Sequence, residues 1–284
     1  MRAMPKPSAH HFIRDPRLPH LELRTSTHSH DCYETHTHDE YSFGTIDTGQ
    51  AVYCHGEHNT ALKPGMTVMM EPGLAHSCNP DARQPWSYRM LFVDAPWVHR
   101  NFLPFTLGQP HTQRLKLSRH SSDAPTVYRA LSRISDALGM GEAADALEVD
   151  ELVLGFIAQH ALLPREAPAA PSADEQALQA VRGLICERVE SNLSLEQLAQ
   201  TCAWSEYQLI RKFKQAFGQT PHAYLIDQRL NIAKKLLKQG VALTEVAHRL
   251  GFADQAHFQR HFKKRHATTP KNYLGAGEGR KILS

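Results

Sequence analysis

The sequence predicts an α+β multidomain chain, a small β-barrel followed by helices. Three observations carry that prediction. Between residues 21 and 117 turn signals recur every eight to twelve residues, beyond Ser121 the apolar spacing lengthens to that of a helix, and the last third holds two copies of one pattern offset by 48 to 49 residues. With 284 residues, 41% of them apolar and 21% charged, the chain is long enough for two cores.

The early turns are Asp47-Thr48-Gly49, His55-Gly56-Glu57, Lys63-Pro64-Gly65, Glu71-Pro72-Gly73 and Asn79-Pro80-Asp81. Short strands fit between them at residues 41–46, 51–54, 66–70 and 87–93, and regular short strands suggest a sandwich or barrel over residues 1–120. Val127, Leu131, Ile134 and Leu138 then mark one face of an amphipathic helix. A second helix, starting near Glu142 after the Gly139–Gly141 break, carries Leu147, Leu152, Phe156, Ile157 and Leu163. This 121–163 hairpin either packs on its own barrel or offers a dimerisation surface. Residues 164–173, rich in Pro and Ala, form a stiff linker, and residues 174–284 read as all-α.

No run of eighteen apolar residues occurs, and the N-terminus lacks an apolar stretch before a cleavage site, so a cytoplasmic location with no membrane partner is expected. Five cysteines without a CxxC fit reduced thiols better than a disulfide framework. The net charge of +3 divides unevenly. Residues 1–171 carry 15 Lys and Arg against 19 Asp and Glu, whereas residues 172–284 carry 17 against 10, a balance that suits a polyanion partner.

Each C-terminal copy has a short helix (195–202; 243–250), a tight turn and a longer helix with outward cations, and a long helix over 221–240 joins them. Ser194 with Gln197 reads as a capping box, and Ser205 and Asp254 as N-caps of the second helices. Paired helices of this kind place one helix in the major groove while the other braces on the backbone. The segment 193–274 resembles the DNA-binding domain of the AraC/XylS family of transcription regulators, through QRLNIAKKLL (228–237), VAHRLGF (246–252), HFQRHF (257–262) and PKNY (270–273). The resemblance implies seven helices forming two helix-turn-helix units whose reading helices enter successive major grooves, about 34 Å apart.

Carried over by position, it implies Tyr207 and Arg211 as base readers on the first reading helix, with Ile210 against a thymine methyl. On the second it implies Gln255, Gln259 and Arg260, with Ala256 or His257 close by. Lys212, Lys214, Lys263 and Lys264 suit phosphate, with Arg249 and Thr269 as weaker candidates. Leu198, Ala199, Leu209, Phe213, Val246, Ala247, Phe258 and Phe262 read as core. The family often has Gly where Ala203 stands and after Arg265, where His266-Ala267 occurs, which leaves those turns open.

Fourteen of nineteen histidines precede residue 164. If residues 36–40 are extended, His36, His38 and Glu40 share a face. With His76 they resemble the two motifs of a cupin barrel, in which histidines and a carboxylate hold a metal, although Glu40 stands earlier than the usual carboxylate. Such a set suits a divalent transition metal, Zn, Fe, Ni or Mn. Within the AraC/XylS family the N-terminal cupin-like barrel typically senses a small-molecule effector, and the alternative stands that His36, His38, Glu40 and His76 line an effector pocket with Tyr53, Trp86 and Tyr88. The expectation is therefore a non-enzymatic, effector-controlled regulator, a homodimer on double-stranded promoter DNA with RNA polymerase as a further partner. The rival is a metal-dependent cupin enzyme or metal-responsive sensor using His36, His38 and His76.

Overall fold

A computed structural model describes residues 9–81, 84–102, 115–141, 145–160, 162–163, 172–191 and 193–275. Strands β1 (Ala9–Ile13), β2 (Leu21–Ser29), β3 (Tyr41–Thr48), β4 (Ala51–His55), β5 (His58–Leu62), β6 (Thr67–Met70), β7 (His76–Pro80) and β8 (Trp86–Val93) come first. Helix α1 (Ala95–Phe102) and the two-residue strands β9 (Lys116–Leu117) and β10 (Ser121–Ser122) follow. Antiparallel pairing gives a six-stranded sheet, β1-β2-β8-β3-β6-β10, and a three-stranded one, β5-β4-β7. Ile46, Val68, Met70, Trp86 and Tyr88 of the first meet Ala51, Tyr53, Leu62 and Cys78 of the second in one core. The barrel is thus two facing sheets, not a continuously hydrogen-bonded cylinder.

The hairpin helices are α2 (Pro125–Gly139) and α3 (Ala146–His160), after which β11 (Leu162–Leu163) pairs with β9. Val127, Leu131, Ile134 and Leu138 of α2, with Val149, Val153, Phe156 and Ile157 of α3, are buried against Leu21, Leu23, Tyr41, Phe43, Leu91 and Val93. Of the two alternatives for this hairpin, packing on its own barrel is the one that the stripe serves here. Leu147, expected within it, is 67% exposed, and Met140 is 63% exposed. The helix start near Glu142 and linker residues 164–171 lie outside the described residues.

The C-terminal half holds seven helices among the described residues: α4 (Ala173–Glu187), α5 (Leu195–Cys202), α6 (Glu206–Phe217), α7 (Pro221–Lys238), α8 (Leu243–Arg249), α9 (Gln255–His266) and α10 (Pro270–Gly275). Local chemistry explains their ends. Ser172, Ser194 and Ser205 form capping boxes with Glu175, Gln197 and Gln208, and Asp254 accepts the His257 N–H at 2.6 Å. Helix α6 ends on Gly218 in the left-handed region (φ 71°), where a Cβ would lie 2.8 Å from Ala75 of the sheet half. Ala203 and Ala267 take the same conformation, with φ of 53° and 51°.

Two cores flank α7. Leu198, Leu209 and Phe213 pack with Tyr224 and Leu225 on one side, and Val246, Phe258 and Phe262 pack with Leu230 and Leu237 on the other. Phe12 of β1 enters the second core, edge-on to Tyr273 at 5.0 Å. Among the described residues no helix is long and apolar enough to cross a membrane, and all five cysteines are free.

Candidate DNA interface and effector cavity

Helices α6 and α9 occupy equivalent places in the two units. On α6, Tyr207 is 74% exposed, Arg211 and Lys214 project outward, and Ile210 is half-buried. Lys212 is held back: its ammonium pairs with Asp174 and sits 4.3 Å above the Trp204 ring. On α9, Ala256, Arg260, Lys263 and Lys264 are exposed, while Gln255, His257 and Gln259 are half-buried. His257 bonds His261 across one turn at 3.0 Å. Thr269 caps α10 by accepting the Asn272 N–H at 3.2 Å, and Arg249 pairs with Glu190. The eight residues expected in the core are all buried.

The outer face of α9 is not open. The loop after β2 lies against it, so that Asp31 and Cys32 share a groove with Ala256, Gln259, Arg260 and Lys263. Glu34 donates its N–H to the Lys264 carbonyl at 3.1 Å, and its carboxylate lies 3.4 Å from the Lys264 ammonium and 3.5 Å from Arg265. Carboxylates at this place set negative charge against the cations of α9.

Between the halves lies a cavity of about 50 Å³, walled by Arg24, His36, His38, His76, Trp86, Tyr88 and Phe92 from the sheets and by Lys234, Arg265, His266 and Tyr273 from the helices. His36 and His76 face each other in an antiparallel bridge, each N–H donating to the other's carbonyl at 3.0 Å. Their Nδ1 atoms lie 2.8 Å from the Glu34 and Leu74 carbonyls, which places the proton there and leaves each Nε2 with its lone pair. One ring nitrogen from each of His36, His38 and His76 lies within 4.8 Å of the others. Burial, then neighbouring positive groups, holds His36, His38 and His266 well below the usual imidazole range. Burial also takes His76 down to about 4. Three neutral imidazoles fit a transition metal in donor type, but among the described residues no carboxylate joins them.

Glu40 is the correction. Residues 37–40 are not a strand, and the Glu40 carboxylate turns to the Lys234 ammonium at 3.3 Å, outside the histidine group and the cavity wall. Tyr53 is fully buried in the intersheet core, its ring 6.1 Å from His76, and does not line the cavity. Trp86 and Tyr88 do.

A polar clamp closes the halves around this cavity. The Thr37 N–H and hydroxyl donate to Asp227 Oδ2 at 2.9 and 2.6 Å, and Gln219 donates to the Thr35 carbonyl at 3.0 Å. Lys235 meets Asp39 at 2.6 Å, and Lys238 meets Glu22 at 2.7 Å. Burial pushes the Asp227 carboxyl up to about 6 against the pull of Thr37 and Arg265.

Comparison with known proteins agrees with this architecture. Residues 18–157 match the model of an AraC-like ligand binding domain, and residues 198–276 match a helix-turn-helix domain. The chain belongs to the AraC/XylS family of transcription regulators. This regulator is 28% identical to the uncharacterized HTH-type transcriptional regulator YbfI of Bacillus subtilis, over 86% of its own chain and 87% of the relative. It is 23% identical to the transcriptional activator RhaS of Pectobacterium carotovorum, over 84% and 87%. Its fold is shared with ToxT from Vibrio cholerae, including a form bound to an unsaturated fatty acid, at a TM-score of 0.54 and 13% identity over 98% of both chains. The regulator is thus a helix-turn-helix DNA-binding protein with a ligand-binding N-terminal domain.

Sequence reasoning missed Arg24, Lys234, Arg265 and His266 in the cavity, and the clamp of Thr37 on Asp227. Lys234 and Arg265 sit in helical stretches where a cation ordinarily reads as solvent-facing. Arg24 alternates with Leu21 and Leu23, the pattern of a solvent-facing strand position.

Proposed function

We propose that this regulator binds promoter DNA through α6 and α9 under the control of a small effector held in the cavity between its halves. The observation that carries this reading is that both halves wall one cavity, so a ligand there touches sensor and reader together. Arg211, Tyr207, Gln255, Gln259 and Arg260 read bases, with Ile210, Ala256 and His257 beside them. Lys214, Lys263 and Lys264 meet phosphate; Lys212 joins them once it leaves Asp174. In the closed arrangement Asp31 and Glu34 restrain α9, and an effector acts by favouring one arrangement over another. The regulator works in the cytoplasm as a homodimer through the outer side of the α2–α3 hairpin, and contacts RNA polymerase when bound. That ToxT, which shares this fold, has a form bound to an unsaturated fatty acid supports control by a small ligand.

A metabolite panel, read by thermal shift and by fluorescence anisotropy on a duplex selected for binding, tests the proposal. A compound that raises the melting temperature and changes duplex affinity supports it; a panel with no such compound counts against it. Light scattering reads the dimer.

The lone-pair geometry of His36 and His76 favours a second reading, a metal-responsive sensor with a divalent metal on His36, His38 and His76. Stoichiometric metal in the purified protein, abolished by His38→Ala, would establish that reading. Metal-free protein with full ligand response would remove it.

A further inference from the structure

Three N–H donors on the wall of the interdomain cavity, from Arg24, Trp86 and Arg265, have no hydrogen-bond acceptor among the described residues. Arg24 is 5% exposed. Its Nη1 donates to the His266 carbonyl at 2.8 Å and its Nη2 meets His10 Nδ1 at 3.1 Å. Both partners are neutral acceptors, since burial keeps His10 below its usual range. The guanidinium lies 5.3 to 5.8 Å from the rings of Phe12, Tyr33 and Tyr88, and its Nε has no partner. Among the described residues no carboxylate forms an ion pair with Arg24; Asp31, the nearby acid, bonds His10 at 2.8 Å instead.

Two further obligate donors on the same wall are short of acceptors. Trp86 Nε1 has none, and Arg265 Nε has only the Glu34 carboxylate at 3.5 Å. Glu22, the carboxylate among the described residues of the wall, is taken by Arg14, Lys238 and the Tyr273 hydroxyl at 2.8, 2.7 and 3.2 Å, and those of Glu40 and Asp227 lie outside the wall. A buried guanidinium that forms no ion pair, with two further N–H donors short of acceptors on the same wall, favours a negatively charged occupant with acceptor oxygens. Met70, Met90 and Phe92 give the wall an apolar stretch, which disfavours a compact, fully hydrated inorganic anion. A cavity of about 50 Å³ has room for about four water-sized groups.

We propose that the cavity binds a small organic carboxylate, its head taken by Arg24 and the Trp86 N–H and its short apolar body lying against Met70, Met90 and Phe92. This names the ligand class of the effector site and rests on that reading of the cavity. Because Arg24 also holds the His266 carbonyl at the end of α9, the bound anion ties the sensor sheet to the second reading helix. The carboxylate completes the closed arrangement.

The test uses the full chain at pH 7.5, titrated with propionate, with propionamide as its neutral isostere and inorganic phosphate as an anion without an apolar body, followed by calorimetry and thermal shift. Propionate alone is expected to bind saturably and raise the melting temperature. Arg24→Met is expected to weaken it at least tenfold, and Trp86→Phe, which keeps the ring and loses only the N–H, roughly two- to tenfold. Trp86→Phe decides alone if Arg24→Met does not fold. Failure of propionate to bind, equal binding of propionamide or phosphate, or unchanged affinity in the folded variants overturns the proposal. If a neutral metabolite shifts both melting temperature and duplex affinity while propionate does neither, the carboxylate assignment falls and effector control stands; if no compound does so, both fall.

Discussion

Thr37→Val is the sharpest probe of how the halves are held together. Valine keeps the branched shape and the backbone N–H, so the 2.9 Å bond to Asp227 survives while the 2.6 Å hydroxyl bond is lost. A hydrogen bond to a charged acceptor contributes about 1.5 to 3 kcal/mol, and only the closed arrangement makes this one. The ratio of closed to open molecules should therefore fall roughly ten- to a hundredfold. Hydrogen exchange reads it directly, because the Glu34 amide bonds the Lys264 carbonyl across the junction and loses protection by the same factor. Affinity for duplex should rise in parallel as Asp31 and Glu34 leave α9. The carboxyl of Asp227 has a closed-state value of about 6, above the ordinary 3.8, so the closed form takes up the proton first as pH falls. At pH 5 the acceptor is mostly neutral, and the effect of Thr37→Val should be smaller than at pH 7.5. Unchanged Glu34 protection at pH 7.5, in a protein whose other amides behave normally, would refute the clamp.

Arg211→Ala and Arg260→Ala should each cost about 1 to 3 kcal/mol at one base position, whereas Lys263→Ala should weaken all duplexes alike and lower the salt slope by about 1, seen by anisotropy across salt. Ala203→Gly relieves a left-handed alanine at an exposed helix end and should stabilise by about 0.5 to 1 kcal/mol in thermal melts, while a loss of stability would mean the turn is not strained. In metal-free protein, His36, His38, His76 and His266 are neutral when folded and charged when unfolded below pH 6.5. The folded state then binds fewer protons, so stability is present above pH 6.5 and is lost on acidification toward pH 4, by about 1.4 kcal/mol per histidine per pH unit. Asp227 opposes this with one group against four. Melting temperatures that rise on acidification from pH 7.5 to 5.5 would contradict that balance.

The repeat was legible because each copy repeats apolar spacing, cap and turn, and local capping chemistry set the starts of α5, α6 and α9 at Ser194, Ser205 and Asp254. Strands bounded by Gly and Pro turns were legible for the same reason. Strands β1, β2, β5 and β7 were not, since His, Ser, Thr and Asn dilute their apolar signal. His36, His38 and His76 could be grouped by residue type, but Glu40 could not be excluded from them: the cation that draws it away, Lys234, is 194 residues distant. Strand β2 alternates without having a solvated face: Leu21 and Leu23 face the core, and Glu22, Arg24 and Ser26 on the other face are only 5%, 5% and 1% exposed, because the cavity and the second half cover them. Asp227, Asn231 and Lys234 of α7 are buried by the same junction.

That concealed polar face follows from what an interdomain junction must do. A face that looks solvated in sequence and is covered in the fold remains tolerable to water when uncovered. Glu22, Asp39 and Glu40 pair with Lys238, Lys235 and Lys234 across the junction, and each regains hydration when the halves part. Phe12, packed against Tyr273, is the large apolar side chain the sheet half contributes to the helical core. Burying a phenylalanine contributes about 1.5 to 3 kcal/mol. An interface of hydrated charges with one such apolar anchor can be moved by a ligand whose affinities for the two arrangements differ by a few kcal/mol, whereas a fully apolar one would resist any small effector. Arg24 is the exception among these polar groups. Among the described cations of the junction it is in no ion pair, and so it is the group through which a small anion gains the most leverage on the position of α9.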